Sequence, residues 1–329
     1  MTEKEVSGKT KSQEGSGSFP RASFTHALFS SESHGGRMPC IMGILNVTPD
    51  SFSDGGKWNT RDKALQRAEE LIAEGADILD VGCESTRPGY HVVPAAEEAE
   101  KLAKITSDIR RNFDIPISVD TYKPEAFLAA AGAGADILND IWGLRAPEEL
   151  LREAGCKPGL SMVEMLKKTG CAAVLMHQDL LPRSAEERTE EVIEKSGVSP
   201  EGLSDLVVRI REGWEKSLAL SDAAGIPRKR LLLDPGVGFS KTQEENLACL
   251  SRMDELIRCA EELGTGFLLG VSRKSVIGNI LQVPPEERDF GTVAVSIRAM
   301  DLGAGVLRVH NVKATREALM IWERMMAGR

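Results

Sequence analysis

The chain has 329 residues, enough for one domain of ~250 residues with extensions, and its 41% hydrophobic and 28% charged residues match a globular protein. A formal charge of −9 argues against nucleic acid as a partner, because a phosphate backbone favours a basic surface. No stretch approaches the ~18 uninterrupted apolar residues that cross a membrane, no basic start followed by an apolar block marks a secretory signal, and six cysteines occur without a CxxC pair; reduced buried thiols in a cytoplasmic protein are expected.

Residues 1–38 are rich in Ser, Gly, Lys and Glu without a sustained apolar period, which predicts a flexible N-terminal extension followed by one ordered domain over 39–329. Within that domain eight short apolar runs recur, at 40–46, 76–80, 115–120, 135–140, 172–177, 230–234, 267–274 and 306–310. Runs of this kind suit strands buried on both faces, as in a parallel sheet sheathed by helices. Helical spacing separates them. Ala64, Leu65, Ala68, Leu71 and Ile72 share one face after Thr60 as cap, Pro124 opens a helix ending near Gly132, and similar patterns fill 95–111, 147–168, 203–224, 243–263, 286–303 and 313–327. Glycine before Ala-Asp or Ala-Gly, at Gly75, Gly134 and Gly303, fits helix ends turning into the next strand. Eight strand–helix repeats predict an α/β fold, a (β/α)8 TIM barrel, whose active site gathers at the carboxyl ends of the strands. The stretch 178–203 is too long for an ordinary barrel loop and reads as a flap or, more readily, a peripheral helix.

The runs end in Asn46, Asp80, Asp120, Asn139, Asp140, His177, Asp234, Lys274, Arg308 and His310. Asp120, Asn139 and Asp234 come from separate strands. A buried carboxylate needs a partner, and a heterocycle with an amino group beside a ring N–H offers two donors in a row. A cationic set of Arg87, Lys241, Lys274, Arg308 and His310 on an acidic protein fits one small anionic ligand rather than a polyanion. His310, among cations, reads as a hydrogen-bond donor and not a general base. The polar loop after the first strand carries Phe52 and Asp54 before Gly55-Gly56, and could close over a ligand. Neither GxxxxGK[ST] nor a complete GxGxxG occurs. No His, Cys and Glu trio has zinc spacing, which argues against a protein-caged transition metal; magnesium carried by a diphosphate, with Asn46 as a neutral oxygen ligand, stays open.

The stretches Asn46-Val-Thr-Pro-Asp-Ser-Phe-Ser-Asp-Gly-Gly56, Glu84-Ser-Thr-Arg-Pro-Gly89, Ser118-Val-Asp-Thr121, Asn139-Asp-Ile141, Asp234-Pro-Gly236, Ser272-Arg-Lys-Ser275 and Arg308-Val-His310, together and in this order, resemble the dihydropteroate synthases from residue 40 to about 325. The resemblance implies the barrel, the condensation of 6-hydroxymethyl-7,8-dihydropterin diphosphate with 4-aminobenzoate in folate synthesis, Mg2+, inhibition by sulfonamides and a homodimer. It implies a pterin site of Asp120, Asn139, Ile141, Met176, Asp234, Phe239, Gly270 and Lys274. Phe52, Thr86, Arg87, Pro88 and Ser272 would meet the aminobenzoate. Asn46, Thr86, Arg308 and His310 would hold diphosphate, Asn46 also the metal, and Asp120, Lys274, Asp54 and Arg87 would carry the chemistry. Cys83 stands where the family more often has glycine. An alternative is a methyltetrahydrofolate–corrinoid methyltransferase-like protein, which has no need of the Thr86-Arg87-Pro88 loop or the Ser272-Arg-Lys run; another is a catalytically silent pterin-binding protein.

Overall fold

The computed structural model describes residues 38–47, 60–84 and 92–327; but for Met38, the expected N-terminal extension lies outside them. Eight parallel strands close a barrel in chain order: β1 (Cys40–Asn46), β2 (Ile78–Gly82), β3 (Ile117–Asp120), β4 (Ile137–Asp140), β5 (Ala172–Met176), β6 (Leu231–Asp234), β7 (Gly266–Leu269) and β8 (Val306–Val309). β8 returns to β1, with Cys40 opposite Val306 and Gly43 opposite Val309. The expected (β/α)8 fold is therefore the fold observed. Helices α1 (Thr60–Ala73), α2 (Ala95–Asn112), α3 (Pro124–Gly132), α4 (Glu148–Glu153), α5 (Met162–Thr169), α6 (Glu190–Ser196), α7 (Pro200–Ser204), α8 (Leu206–Ala223), α9 (Gln243–Ser251), α10 (Met253–Glu262), α11 (Ser275–Leu281), α12 (Asp289–Asp301) and α13 (Val312–Ala327) follow between and after the strands. None of the described helices is long and apolar enough to cross a membrane.

Strand alternation sorts the side chains into two layers. Met42, Ile78, Ile137, Ala172, Val174, Leu232, Leu268 and Val306 form one buried cluster inside the barrel, while residues such as Ile41, Leu79, Val119, Leu138 and Leu233 pack outward with the helices. Side chains two apart share a face. Two residues beyond the inner cluster the same face therefore presents Asp80, Asn139, Met176, Asp234, Gly270 and Arg308, at the carboxyl end. The apolar floor and the polar mouth are successive layers of one pattern.

Three boundaries differ from expectation. The helix predicted over 147–168 is two, α4 and α5, because Gly155 and Gly159 take left-handed φ values of +70° and +80° on either side of Pro158. The one predicted over 243–263 is also two; Arg252 is the C-cap of α9 and the N-cap of α10. The seventh run ends as a strand at Leu269, and its last residue, Lys274, is the N-cap of the unpredicted α11. Segment 178–203 carries two peripheral helices, α6 and α7. Arg188 fastens it with two 2.7 Å bonds to Glu245 of α9, and Ser199 Oγ donates to Glu212 of α8 at 2.8 Å.

Candidate active site

Arg308, the inward residue of β8, organises the mouth. Its Nε donates to Asp80 Oδ2 at 2.6 Å and its second terminal nitrogen to Asp120 Oδ2 at 2.7 Å. Asn139 Nδ2 donates to the same Asp80 oxygen at 3.2 Å. Strands β2, β3 and β8 thus meet at one guanidinium, and β4 joins them through Asp80. Against the burial penalty, the two carboxylates raise the Arg308 guanidinium above its ordinary range. Burial pushes the Asp120 carboxyl up to about 7, Arg308 pulling the other way and Asp80 adding to the rise. Gly82 keeps this corner open, since a Cβ there would stand 3.8 Å from Asn46 Oδ1 and 3.9 Å from Asp120 Oδ2.

Asp234 closes the opposite side. Its Oδ1 accepts from Gly236 N at 2.7 Å, and its main-chain oxygen accepts from Trp214 Nε1 of α8 at 3.1 Å and from His177 N at 2.8 Å. Gly236 has to be glycine: its φ is +68°, and a Cβ would stand 2.0 Å from His177 O. The turn it makes brings Val237 O to within 2.6 Å of Lys274 Nζ, and that ammonium lies 4.7 Å from the centre of the Phe239 ring. Burial lowers Lys274 to about 8, Asp234 opposing, and burial raises Asp234, Lys274 opposing. A Cβ on Gly270 would lie 3.4 Å from Asp234 Oδ2 and 3.9 Å from Arg308 Cβ, so this glycine keeps the floor between the carboxylate and Arg308 open. Beside it Ile141, Met176 and Tyr122 form a small apolar cluster that Phe239 and Trp142 join.

Ser272 and His310 pair with each other: Ser272 Oγ lies 3.0 Å from His310 Nδ1 and accepts from His310 N at 3.1 Å. With its lone pairs already receiving the main-chain N–H, the hydroxyl can give its own proton to Nδ1, leaving Nε2–H as a donor toward an anion. Arg273 between Ser272 and Lys274 has a left-handed φ of +59°. It holds that conformation through bonds of 2.6 and 2.7 Å to Asp289, which also accepts from Asn311 Nδ2 at 2.9 Å.

Three residues of the strand-end and cationic sets fall elsewhere. Asp140 and His177 each lie one residue beyond an inward position, so alternation turns them away from the mouth. Asp140 accepts from Trp142 N and Leu144 N at 2.9 and 2.8 Å, and burial raises it to about 6. His177 Nδ1 lies 3.0 Å from Lys241 Nζ; burial, with Lys241, Arg209 and Arg145, drives its pKa well below the ordinary value, and the ring is neutral. Lys241 serves that pair and the carbonyls of Gly236 and Phe239, not a ligand in the mouth. A cavity of 220 Å3 opens beside His177, and none of Asp80, Asp120, Asn139, Asp234, Lys274 and Arg308 lines it. Phe52, Asp54, Thr86, Arg87 and Pro88 lie outside the described residues. Cys83 is buried in the outer core, and burial pushes its thiol up to about 12.

Sequence reasoning placed Asp80 among the strand ends without giving it a role, yet it holds both Arg308 and Asn139. Its inward spacing, two residues after Ile78, was the available signal. Trp214, behind Asp234, carries no such signal.

A family model described as pterin binding enzyme matches residues 42–310. A dihydropteroate synthase of Clostridium beijerinckii is 39% identical over 84% of this chain and 90% of its own length. The chain belongs to the dihydropteroate synthases. It is thereby a transferase of folate synthesis. Among solved members, that of Xanthomonas albilineans with 4-aminobenzoic acid superposes with a TM-score of 0.73 at 35% identity, covering 89% of this chain and 94% of that one. That of Yersinia pestis in complex with a sulfonamide drug has a TM-score of 0.71 at 37% identity, covering 89% and 95%.

Proposed function

We propose that this synthase joins 6-hydroxymethyl-7,8-dihydropterin diphosphate to 4-aminobenzoate at the mouth built around Arg308, giving 7,8-dihydropteroate and diphosphate. The observation that carries this reading is the enclosure of three carboxylates, Asp80, Asp120 and Asp234, with Asn139 and two cations, Arg308 and Lys274, above one apolar floor. A pterin ring suits it. Its amino group and ring N–H donate to a carboxylate, Asn139 both donates and accepts, and Ile141, Met176 and Phe239 offer apolar contact to the ring.

The reaction is a dissociative substitution. The C–O bond to diphosphate breaks with its electron pair leaving on oxygen, and the resulting pterin methylene cation is stabilised by the ring and by Asp120 and Asp234. The arylamine nitrogen then forms the C–N bond and releases a proton. Arg308 and the Nε2–H of His310 draw the leaving group. Among the described residues no group of three His, Cys, Asp or Glu side chains could cage a metal, but an ion that arrives on diphosphate oxygens asks little of the protein. Asn46 at the end of β1 offers one amide oxygen for such a magnesium ion, which would neutralise the leaving group. By the family resemblance Phe52, Asp54, Thr86, Arg87 and Pro88, outside the described residues, would meet the aminobenzoate together with Ser272, and a sulfonamide would compete there.

A homodimer is supported by apolar side chains left at the surface of α11, α12 and α13: Phe290 is 89% exposed, and Ile280, Met320, Ile321 and Met325 are exposed with it. Six free cysteines and the absence of a membrane-spanning helix among the described residues support a cytoplasmic site of action. The deciding experiment incubates purified protein with the pterin diphosphate, magnesium and 4-aminobenzoate. Dihydropteroate and diphosphate in equal amounts are expected; release of neither overturns the assignment.

A further inference from the structure

We propose that Asp289, the first residue of α12, is a positioning residue for the pterin diphosphate: by pinning Arg273 it sets Lys274 toward the pterin and Ser272, with His310, toward the leaving group. The inference rests on the function proposed above and deepens it. Val271–Lys274 is a tight turn, closed by Lys274 N donating to Val271 O at 3.1 Å. Arg273 is its third residue and has a φ of +59°. At that position a positive φ favours glycine or asparagine, yet the chain carries a long side chain there. Both the main chain and the side chain of Arg273 are held from residues 288–292. Asp289 accepts from Arg273 Nε at 2.6 Å and from a terminal nitrogen at 2.7 Å. Arg273 N donates to Thr292 Oγ1 at 3.2 Å, and that hydroxyl gives its own proton to Arg288 O at 3.0 Å. Arg288 Nη1 in turn donates to Arg273 O at 3.0 Å; it passes over Gly278, where a Cβ would stand 2.2 Å from the guanidinium carbon.

A left-handed residue with a Cβ is strained and persists only where its surroundings over-determine it. Three separate contacts do so here, and Asp289 supplies the ionic one. An ion pair with part of its surface in water adds little to stability, so support of the fold is a poor account of it. What the pair adds is direction. The turn has a group of the mouth on either side of Arg273. Lys274 Nζ reaches Val237 O at 2.6 Å, and its stem runs close under the next turn, since a Cβ on Gly238 would stand 3.1 Å from Lys274 Cδ. Ser272 Oγ is tied to both His310 nitrogens on its side, Nδ1 and N. If Arg273 relaxes to a negative φ, the chain swings and both groups leave these places. Asp289 also accepts from Asn311 Nδ2 at 2.9 Å, the residue after His310. One carboxylate thus locks the β7 turn to the end of β8, where the two halves of one substrate have to be met together.

The test separates positioning from support of the barrel. Asp289→Asn keeps the volume and an acceptor for Asn311, so the chain folds, but loses the charge that grips Arg273. The Kd for the pterin diphosphate, measured by calorimetry with magnesium and without aminobenzoate, should rise at least tenfold, as when the competent turn is populated about a tenth of the time. Asp289→Asn combined with Arg273→Gly lacks the ion pair as well, but glycine takes the left-handed φ without penalty and its main chain keeps Thr292 and Arg288. There the Kd should return to within threefold of the parent value. Both variants should unfold at lower urea than the parent, whereas affinity is lost in the first alone; a pair that only supports the fold costs affinity in both. A single variant within threefold of the parent would mean that Asp289 places nothing. A double variant as weak as the single one would mean that the pair only supports the fold, or that the guanidinium itself binds; either result overturns the proposal. An unsubstituted protein without measurable affinity for the pterin diphosphate overturns the function on which the proposal rests.

Discussion

Asp80→Asn probes the mouth at its deepest point. Asp80 is fully buried and its Oδ2 receives both Arg308 Nε at 2.6 Å and Asn139 Nδ2 at 3.2 Å. The amide keeps the shape and one acceptor but loses the charge. A hydrogen bond to a charged group contributes about 1.5–3 kcal/mol. Complete rupture of a buried pair costs ~3–5 kcal/mol, but Arg308 keeps Asp120 at 2.7 Å, so the lower range applies. If the same loss reaches the transition state through a misdirected guanidinium, kcat/KM for the pterin diphosphate falls roughly 10- to 100-fold, at ~1.4 kcal/mol per decade. The change also removes one of the charges that raise the Asp120 carboxyl, so the acid limb of the activity profile should move to lower pH. Steady-state kinetics with the diphosphate varied, a pH series and urea unfolding read all three. Activity within threefold of the parent beside a clear stability loss would refute the idea that Asp80 aims Arg308.

The raised Asp120 and lowered Lys274 predict a narrow bell in kcat/KM, rising near pH 7 as Asp120 ionises and falling near pH 8 as Lys274 loses its proton; a flat profile from pH 6 to 9 contradicts both assignments. In stability terms the signs differ: the folded chain holds the Asp120 proton more tightly, so that contribution declines from about pH 4 to 7. It holds the Lys274 proton less tightly, so stability gains from about pH 8 to 10.5. Gly236→Ala forces a Cβ into a left-handed turn 2.0 Å from His177 O; it should cost at least ~1–2 kcal/mol in chemical unfolding, and an unchanged midpoint would show that the turn is pliable. Phe290→Glu with Ile321→Glu should yield monomers by analytical ultracentrifugation, and a dimer that persists would place the subunit contact on another face.

Much of this site was legible because a barrel strand converts sequence order into depth. Once the eight runs are strands, the parity of Asp80, Asn139, Asp234 and Arg308 relative to Ile78, Ile137, Leu232 and Val306 follows from alternation alone. The same parity, applied strictly, would have turned away Asp140 and His177, each one residue past an inward position. Other features depend on contacts distant in sequence. The partnership of Lys241 with His177 requires the β6 loop to fold back through Gly236, which no local period announces. The break between α4 and α5 turns on paired left-handed glycines, and continuous apolar spacing over 147–168 masks it. Lys123 reads as a surface lysine before a helix, because nothing local indicates that Glu84, Val93 and Glu98 converge on its buried ammonium.

The charges of the mouth predict an order of substrate binding. Asp80, Asp120 and Asp234 are buried around Arg308 and Lys274, and a buried carboxylate is tolerable only while paired or protonated. In the chain alone, Arg308 compensates Asp80 and Asp120 directly, and burial still pushes the Asp120 carboxyl up to about 7. A diphosphate that draws on Arg308 takes part of that compensation away from Asp120. The ring of the same molecule, bringing its own donors and then a developing positive charge, can return it. On the proposed binding mode, pterin and leaving group would exchange charge through one guanidinium, and the site would balance only with both halves of the substrate present. Aminobenzoate carries a negative carboxylate and no such compensation, so on electrostatic grounds it should enter second.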